Sequence, residues 1–307
     1  MRTHPTATGA RRSGFTLIEL LVVIGILALL TALTIGAVRG VLAGQVDAAN
    51  EQVLQKLDNA LGRHWKAVVD QSRRERIPDQ ILVATNREQR EAQVLWAKLK
   101  LRSEFPTTFA EARRAYLGIP PKRTYVAALA GATSASPEEE AAVCLALALS
   151  QNRRGVTFSA ERDLGEGNVK QRNIGGKDFR VFTDAHDNLI TYVRWPYPAF
   201  ASSHAGEYND EPYATVRQED LNHDGTKEQF VIDPVDPEVF LRKYAGGAGL
   251  DTTVEQAIGH ELFNPASGQF PENFYPFILS AGVDGTFNTN DDMPSYKTRQ
   301  SGRRGDS

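Results

Sequence analysis

Cysteine is almost absent from this sequence of 307 residues, which contains Cys144 alone. An intramolecular disulfide is therefore impossible, and a zinc site built from several cysteines is excluded. Cys144 lies in an alanine- and leucine-rich run from Ala141 to Leu149, which predicts a buried position in a helix. Covalent cross-links within the chain cannot contribute to its stability.

Basic charge and catalytic motifs are also scarce. The net charge of -3 at pH 7 gives no overall positive field of the kind that holds nucleic acid. The sequence has no nucleophile elbow, P-loop, dinucleotide-binding glycine pattern or His-Glu-x-x-His helix. Its six histidines are scattered, and the position of His64 beside Trp65 favours a packing or surface residue over a metal ligand. We therefore predict a protein that is not an enzyme and does not bind nucleic acid.

A long apolar run begins at Phe15. Residues 15–38, about 24 residues with Glu19 as the single charge, exceed the ~30 Å of a bilayer core at ~1.5 Å per residue. Arginines precede the run at positions 2, 11 and 12, whereas Arg39 follows it together with Asp47 and Glu51. This asymmetry predicts a membrane-spanning helix with its N-terminus in the cytoplasm and the bulk of the chain outside.

The helical pattern continues beyond the apolar run. Apolar residues recur at steps of three or four, including Val53, Leu57, Leu61, Trp65 and Val68. No proline occurs from residue 15 until residue 78. One helix is therefore predicted to extend to about residue 72, a length of roughly 85 Å.

The start of this helix carries a family resemblance. The segment Arg11-Arg12-Ser13-Gly14-Phe15-Thr16-Leu17-Ile18-Glu19-Leu20-Leu21 resembles the leader and helix start of type IV pilins and type II secretion pseudopilins. The resemblance implies that a prepilin peptidase cuts after Gly14 and methylates Phe15, and that Glu19 guides subunit registry. A carboxylate inside a bilayer needs a partner, which the new amine of a neighbouring subunit's Phe15 would supply. A plain signal anchor is the alternative.

Beyond the helix, the pattern predicts first helices and then strands. Residues 79–101 are periodic, and Pro137 opens a further helix after Ser136 as N-cap. From about residue 155, short alternating runs such as Phe179 to Thr183 predict an antiparallel sheet. The segment Asp184 to Tyr192 predicts a hairpin and resembles that of pseudopilins, with His186-Asp187 where Trp-Gly is usual.

These patterns predict an α+β, pilin-like fold: a long N-terminal helix packed on a C-terminal antiparallel sheet, with a helical insert. The predicted divisions are a cleaved basic leader at 1–14, a transmembrane helix at 15–38, its amphipathic continuation at 39–75, the insert at 76–155, a β-rich head at 156–300 and a disordered tail at 301–307.

One acidic loop has the spacing of a calcium site. The segment from Asp220 to Glu228 places oxygen side chains at its first, third, fifth and ninth positions and a glycine at its sixth. The predicted ligands are the side chains of Asp220, Asn222, Asp224 and Glu228 and the carbonyl of Thr226. Because Val231 stands at the twelfth position, the loop resembles calcium loops between strands rather than an EF-hand. An ion-free turn rich in Asp, Asn and Gly is the alternative.

A second acidic loop, from Ser280 to Asp292, follows the apolar strand at 276–279. It is similar to the C-terminal calcium loop of major pseudopilins, and this resemblance implies Asp284, Asp291 and Asp292 as ligands. An acidic surface loop without an ion is the alternative. A bound Ca²⁺ would be structural, because it would fix a glycine-rich loop with few apolar side chains.

The resemblance implies a structural subunit of a type II secretion pseudopilus or a type IV pilus-like filament. Its expected partners are prepilin peptidase, other pilin or pseudopilin subunits and the bacterial inner membrane. The head is expected in the periplasm, and the subunit in a filament after assembly. The alternative is a minor or tip adhesin that uses the same anchor, an interpretation favoured by the long helical section.

Overall fold

The computed structural model describes residues 17–194, 216–219, 228–231, 235, 276–287, 289 and 291–295, with the backbone alone at 32–44, 216–219 and 228–231. The chain divides into two compact units, Met1–Ala48 and Ala49–Ser307. Helices and small antiparallel sheets make up the described ranges, which confirms the predicted α+β class.

Helix α1 extends without interruption over 56 residues, Leu17–Ser72, or about 84 Å. Its continuity follows from the absence of proline, which would remove a helical hydrogen bond. At its C-terminal end, Gln93 Nε2 donates to the Ser72 carbonyl at 2.9 Å. The predicted end near residue 72 is confirmed.

In the second unit, one face of α1 is buried. The buried stripe consists of Val53, Leu54, Leu57, Ala60, Leu61, Trp65 and Val68. Steps of three and four place these side chains on one side of the helix. The Trp65 ring packs on Phe105, with centroids 5.2 Å apart, and Ser295 Oγ donates to Asp58 Oδ1 at 2.8 Å. The predicted apolar stripe is confirmed.

Between residues 79 and 149, α1 is followed by five helices: α2 (Asp79–Ala84), α3 (Gln89–Glu104), α4 (Phe109–Arg113), α5 (Arg123–Ala128) and α6 (Pro137–Leu149). The periodic segment 79–101 is not one continuous helix, because it breaks between α2 and α3. Asn86 and Arg87 have φ angles of 51° and 63°, and the Arg87 N–H donates to the Leu82 carbonyl. Two consecutive residues in the left-handed region cannot continue a right-handed helix, and hydrophobic periodicity does not reveal them.

Helix α6 begins as the sequence predicts. Ser136 and Glu139 form a reciprocal capping box, and Pro137 occupies the first helical position. Further along the helix, Cys144 is fully buried, and burial raises the pKa of its thiol. Both the cap at residue 136 and the buried cysteine are confirmed.

After the short helix α7 (Ala160–Asp163) and a 3-10 turn at Glu166–Asn168, β1 (Val169–Ile174) and β2 (Lys177–Phe182) form an antiparallel hairpin. Its turn contains Gly175 at a φ of 58°. A Cβ atom at this position would lie 2.2 Å from the Thr133 carbonyl oxygen, and the Thr133 N–H donates to the Gly175 carbonyl at 2.8 Å. The hairpin is therefore fixed against the loop before α6.

The remaining described strands form two further antiparallel sheets. Strand β3 (Ile190–Val193) pairs with β6 (Phe277–Ser280), which also pairs with β7 (Met293–Pro294). Strands β4 (Val216–Glu219) and β5 (Glu228–Val231) pair with each other.

The predicted hairpin over 184–192 forms only at its turn, and its second strand pairs elsewhere. A single bridge between Thr183 and Leu189 closes the turn, and β3 then pairs with β6 rather than with β2. The Asp184 side chain accepts the N–H groups of His186 and Asn188 at 2.8 and 2.9 Å. This side chain organises the turn while the chain passes from one sheet to another.

Candidate functional site

The start of α1 exposes apolar side chains on all sides. Their exposed fractions range from 48% at Val23 to 82% at Leu17, and the set comprises Leu17, Ile18, Leu20, Leu21, Val22, Val23, Ile24, Ile26, Leu27, Leu29 and Leu30. A helix that is apolar around its whole circumference is stable when other apolar groups cover it. In the described part of the chain, no helix combines the length and mean hydropathy that a membrane crossing requires.

Glu19 lies in the first turn of α1 and is exposed. The positive end of the helix dipole favours a carboxylate at this position. Gly14 and Phe15, the predicted processing residues, lie outside the described residues. The predicted assembly residue therefore lies at the N-terminal end of α1. It is five positions beyond Gly14, the residue after which cleavage is predicted.

The C-terminal acidic loop between β6 and β7 is organised by Asp291. Its Oδ2 atom accepts the backbone N–H groups of Val283 and Asp284 at 2.8 and 3.0 Å. Thr289 Oγ1 lies 2.6 Å from the other carboxylate oxygen. The Thr289 hydroxyl and these backbone donors lower the pKa of Asp291. The loop is thus stabilised by the ionised form of this carboxylate.

The three predicted ligands of this loop come together around one hydroxyl. Thr289 Oγ1 lies 3.5 Å from Asp284 Oδ1 and 3.5 Å from Asp292 Oδ1, besides its contact with Asp291. These are the hard oxygen donors that Ca²⁺ prefers. Among the described residues, however, no three acidic, histidine or cysteine side chains are arranged closely enough to hold a metal ion.

The turn after β2 supports this loop. Ser280 Oγ donates to Asp184 Oδ2 at 2.7 Å, and Asn188 Nδ2 donates to the Gly282 carbonyl at 2.7 Å. A Cβ atom on Gly282 would lie 2.3 Å from the Asp291 carbonyl oxygen, so the loop has no space for a side chain there. The turn and the acidic loop are therefore in direct contact, with Asn188 and Ser280 as residues that the sequence did not single out.

For the first acidic loop, the structure describes the two flanking strands but not the residues between them. Asp220, Asn222, Asp224 and Thr226 lie outside the described residues, and at Glu228 the backbone alone is described. Strands β4 and β5 flank the loop, with Glu219 opposite Glu228 in their register. The placement of this loop between two strands agrees with the predicted topology, and its ligand set stays a prediction.

A buried ion pair fixes β3 to the helical insert. Glu111 accepts from Arg194 Nη1 at 2.7 Å and from Arg102 Nε at 2.8 Å. Arg194 also donates to the Phe105 carbonyl. Burial alone would raise the pKa of Glu111, but the two guanidinium groups outweigh it and lower this pKa to about 2. The carboxylate is therefore ionised at any physiological pH.

A second buried cluster joins α1 to the insert. Arg153 donates to Glu104 Oε2 at 2.9 Å, and its Nη1 atom lies 3.0 Å from His64 Nδ1. Burial, together with Arg153 and Arg63, lowers the pKa of His64 from 6.5 to about 4. The imidazole is neutral at pH 7, so that Nδ1 accepts from the guanidinium. His64 is thus a buried packing residue.

Comparison with known proteins identifies the class of the N-terminal segment. Residues 9–35 match the prokaryotic N-terminal methylation motif, which is the prepilin-type signature of type IV pilins and pseudopilins. The predicted resemblance is confirmed, and the match includes Gly14, Phe15 and Glu19. The motif indicates a prepilin-type substrate of prepilin peptidase. No curated protein and no solved structure matches the chain.

Proposed function

We propose that this protein is a structural subunit of a type II secretion pseudopilus or a type IV pilus-like filament. The observation that carries the proposal is the methylation motif at 9–35, placed at the start of an uninterrupted helix from Leu17 to Ser72. The exposed apolar surface at the beginning of that helix is suited to the helical core of a filament. The helix thus supplies the assembly element, and the second unit forms the head.

Before assembly, the apolar run at 15–38 anchors the subunit in the bacterial inner membrane. The leader at 1–14, with its arginines, remains cytoplasmic, and the head lies in the periplasm. Support for this single-pass topology comes from the sequence run and from the prepilin motif.

Glu19 sets the register between subunits. After cleavage, the amine of Phe15 on one subunit pairs with the Glu19 carboxylate of its neighbour, since neither charge is stable alone among apolar helices. The pairing is complete only in the assembled state. Single subunits are thereby drawn into the filament.

Calcium binding at the C-terminal loop is part of this proposal. The approach of the Asp284, Asp291 and Asp292 carboxylates to the Thr289 hydroxyl supports it, because it gathers hard oxygen donors in one loop. Bound Ca²⁺ would neutralise the repulsion between the carboxylates. The loop at Asp220 to Glu228 is a second proposed site.

A calcium titration of the full-length chain tests this part. We expect the Tm of the native protein to be higher in Ca²⁺ than in EDTA, and the difference to shrink in Asp291→Asn. The asparagine carbonyl retains an acceptor for the loop N–H groups but removes the charge. Asp178→Asn, an exposed position on β2, is the matched control. Equal Tm values in Ca²⁺ and EDTA for the native chain would exclude a structural calcium ion.

A second candidate function is that of a minor or tip subunit displaying a binding surface. The five helices between Asp79 and Leu149, inserted between α1 and the first sheet, favour it. Abundance in sheared filaments separates the candidates, because a main subunit is plentiful there and a tip subunit is rare.

Mass spectrometry of the mature N-terminus tests the proposed function itself. After expression with a prepilin peptidase, we expect the native chain to begin with N-methylated Phe15 and Gly14→Val to remain uncut. Gly25→Val is the matched control, since a Cβ atom at Gly25 meets nothing within 4 Å. An uncut native chain, or cleavage elsewhere, would overturn the proposal.

A further inference from the structure

A surface cleft of about 550 Å³ lies between α1 and α7 in the second unit. Helix α1 contributes Lys56, Asn59 and Arg63, and the other wall is formed by Phe158, Arg162 and Asp163. Because the three α1 residues are spaced by three and four positions, they share one face of the helix. The cleft therefore combines three cations, one carboxylate, an amide and an aromatic ring.

The charges of the cleft are only partly neutralised within the chain. Arg162 Nε donates to Asp163 Oδ1 at 3.1 Å, and the Ser159 N–H donates to Asp163 Oδ2 at 2.8 Å. Within the part of the chain that the structure describes, neither Lys56 nor Arg63 forms a direct ion pair, although Arg63 and Asp163 attract each other electrostatically across the cleft. These two cations lie about 10 Å apart along the helix axis, with Asn59 between them.

The aromatic wall gives the cleft a fixed shape. Phe158 packs edge-on against Phe182, with ring centroids 5.9 Å apart and an interplanar angle of 85°. A rigid apolar wall beside two cations suits a group with an apolar stem and a carboxylate end. A glutamate side chain has this form, and a guanidinium binds its carboxylate in two-point geometry.

Charge decides how a second copy of the chain can meet this surface. A symmetric contact of cleft against cleft would bring like charges together, which is unfavourable. The cleft must instead face a different, acidic surface of the second copy. Such a heterologous contact leaves one cleft and one acidic surface free, so it repeats, into a ring if the rotation closes and into an open helical series if it does not.

Glu51 offers an exposed carboxylate for this contact. It is exposed on the same helix, roughly 120–140° around the axis from Lys56 and Arg63 at ~100° per residue. It also precedes them by a rise of about 8–18 Å. On the exposed face of α1 in this unit, Glu51 therefore lies at one edge, and Lys56 and Arg63 lie at the other.

We propose that this cleft receives Glu51 of a second copy, shifted by about 8–18 Å along the helix axis. The contact rests on the proposed filament function and names the residues that set the stagger between heads. It pairs the Glu51 carboxylate with Arg63 and Lys56, while Asn59 supplies an amide donor.

A charge exchange in the processed full-length chain tests the contact. We compare the native chain with Glu51→Lys, with the double variant Lys56→Glu and Arg63→Glu, and with all three changes combined. Self-association is measured by sedimentation velocity in detergent at low ionic strength, where surface charges are weakly screened. Arg123→Glu, an exposed cation on α5 away from the cleft, is the matched control.

We expect each separate reversal to raise the dissociation constant for self-association about tenfold or more, and the combination to return it close to the native value. Circular dichroism should show the same fold throughout, because all three substituted positions are exposed. Additive losses in the combined variant, or no loss in either separate reversal, would overturn the contact while leaving the filament function intact. A processed native chain that does not self-associate would overturn both.

Discussion

Two parts of helix α1 use apolar residues in opposite ways. Near its start, apolar side chains point in every direction and are exposed, whereas beyond Ala49 they form one buried stripe opposite a charged face. The first pattern suits an environment supplied by other molecules, and the second suits a core supplied by the same chain. A single uninterrupted helix therefore combines an assembly element with the main packing element of a head.

The largest expected effect comes from placing a charge in each part. Leu57→Asp should lower the unfolding free energy of the second unit by roughly 3–5 kcal/mol, because it puts an unpaired carboxylate in the core. Leu27→Asp should leave this free energy unchanged and instead reduce self-association. Urea unfolding and sedimentation of the full-length chain measure the two effects. Gln55→Asp, exposed on the same helix, is the control, and similar losses at residues 55 and 57 would contradict the buried stripe.

The next effect concerns how the second unit is held together. Arg194→Met should cost roughly 3 kcal/mol, since it leaves the Glu111 carboxylate short of a buried partner. Arg180→Met is the matched control: its ion pair with Glu161 is exposed to solvent and should contribute much less to stability. Urea unfolding of both variants provides the comparison. Comparable losses would show that the buried pair has no special role.

The stability of the second unit should also depend on pH through His64. The folded pKa of about 4 lies below the ordinary 6.5, so the unfolded chain binds the proton first and stability falls as pH drops between these values. Between pH 6.5 and 4.5 we expect a loss of about 2–3 kcal/mol. The low pKa of Glu111 contributes below that window.

His64→Gln checks this assignment, because it removes the titrating group and keeps a polar side chain of similar length. Unfolding free energies at pH 6.5, 5.5 and 4.5 should vary less in the variant than in the native chain. A native slope that survives the substitution unchanged would assign the pH dependence to other groups.

The smallest expected effect comes from replacing one glycine in each part of α1 by alanine. Gly62→Ala should stabilise the second unit by up to about 1 kcal/mol, because alanine favours the helix and its Cβ atom meets nothing within 4 Å. Gly25→Ala, equally free of contacts, should leave the unfolding of this unit unchanged. Urea unfolding of the pair measures the difference, and equal gains at both positions would contradict the separate roles of the two parts of α1.

Local patterns were predictable from the sequence. The end of α1, its buried stripe and the cap at Ser136 depend on residues close in the chain, and each is confirmed. The break at Asn86 was not predictable, because the segment remains periodic and only the backbone angles reveal the interruption. Strand partners also escaped prediction, since β3 pairs with a strand more than 80 residues further along the chain.

The candidate sites show the same division. The prepilin motif is a contiguous segment and was found directly. The ion pair between Glu111 and Arg194 joins residues 83 positions apart. It could not be predicted, because an isolated charged residue in a sequence usually lies at the protein surface. Contact between the Asp184 turn and the acidic loop likewise depends on tertiary structure that no local pattern encodes.

The burial of the single cysteine has a practical consequence for labelling. The raised pKa of the Cys144 thiol keeps it protonated, and its position inside α6 shields it from reagents. Thiolate chemistry is correspondingly slow at such sites. A maleimide dye added to the folded native chain should therefore find almost no reactive group. A single cysteine introduced on the exposed face of α1 would therefore be the only residue that the dye labels, and Cys144 would not have to be replaced first.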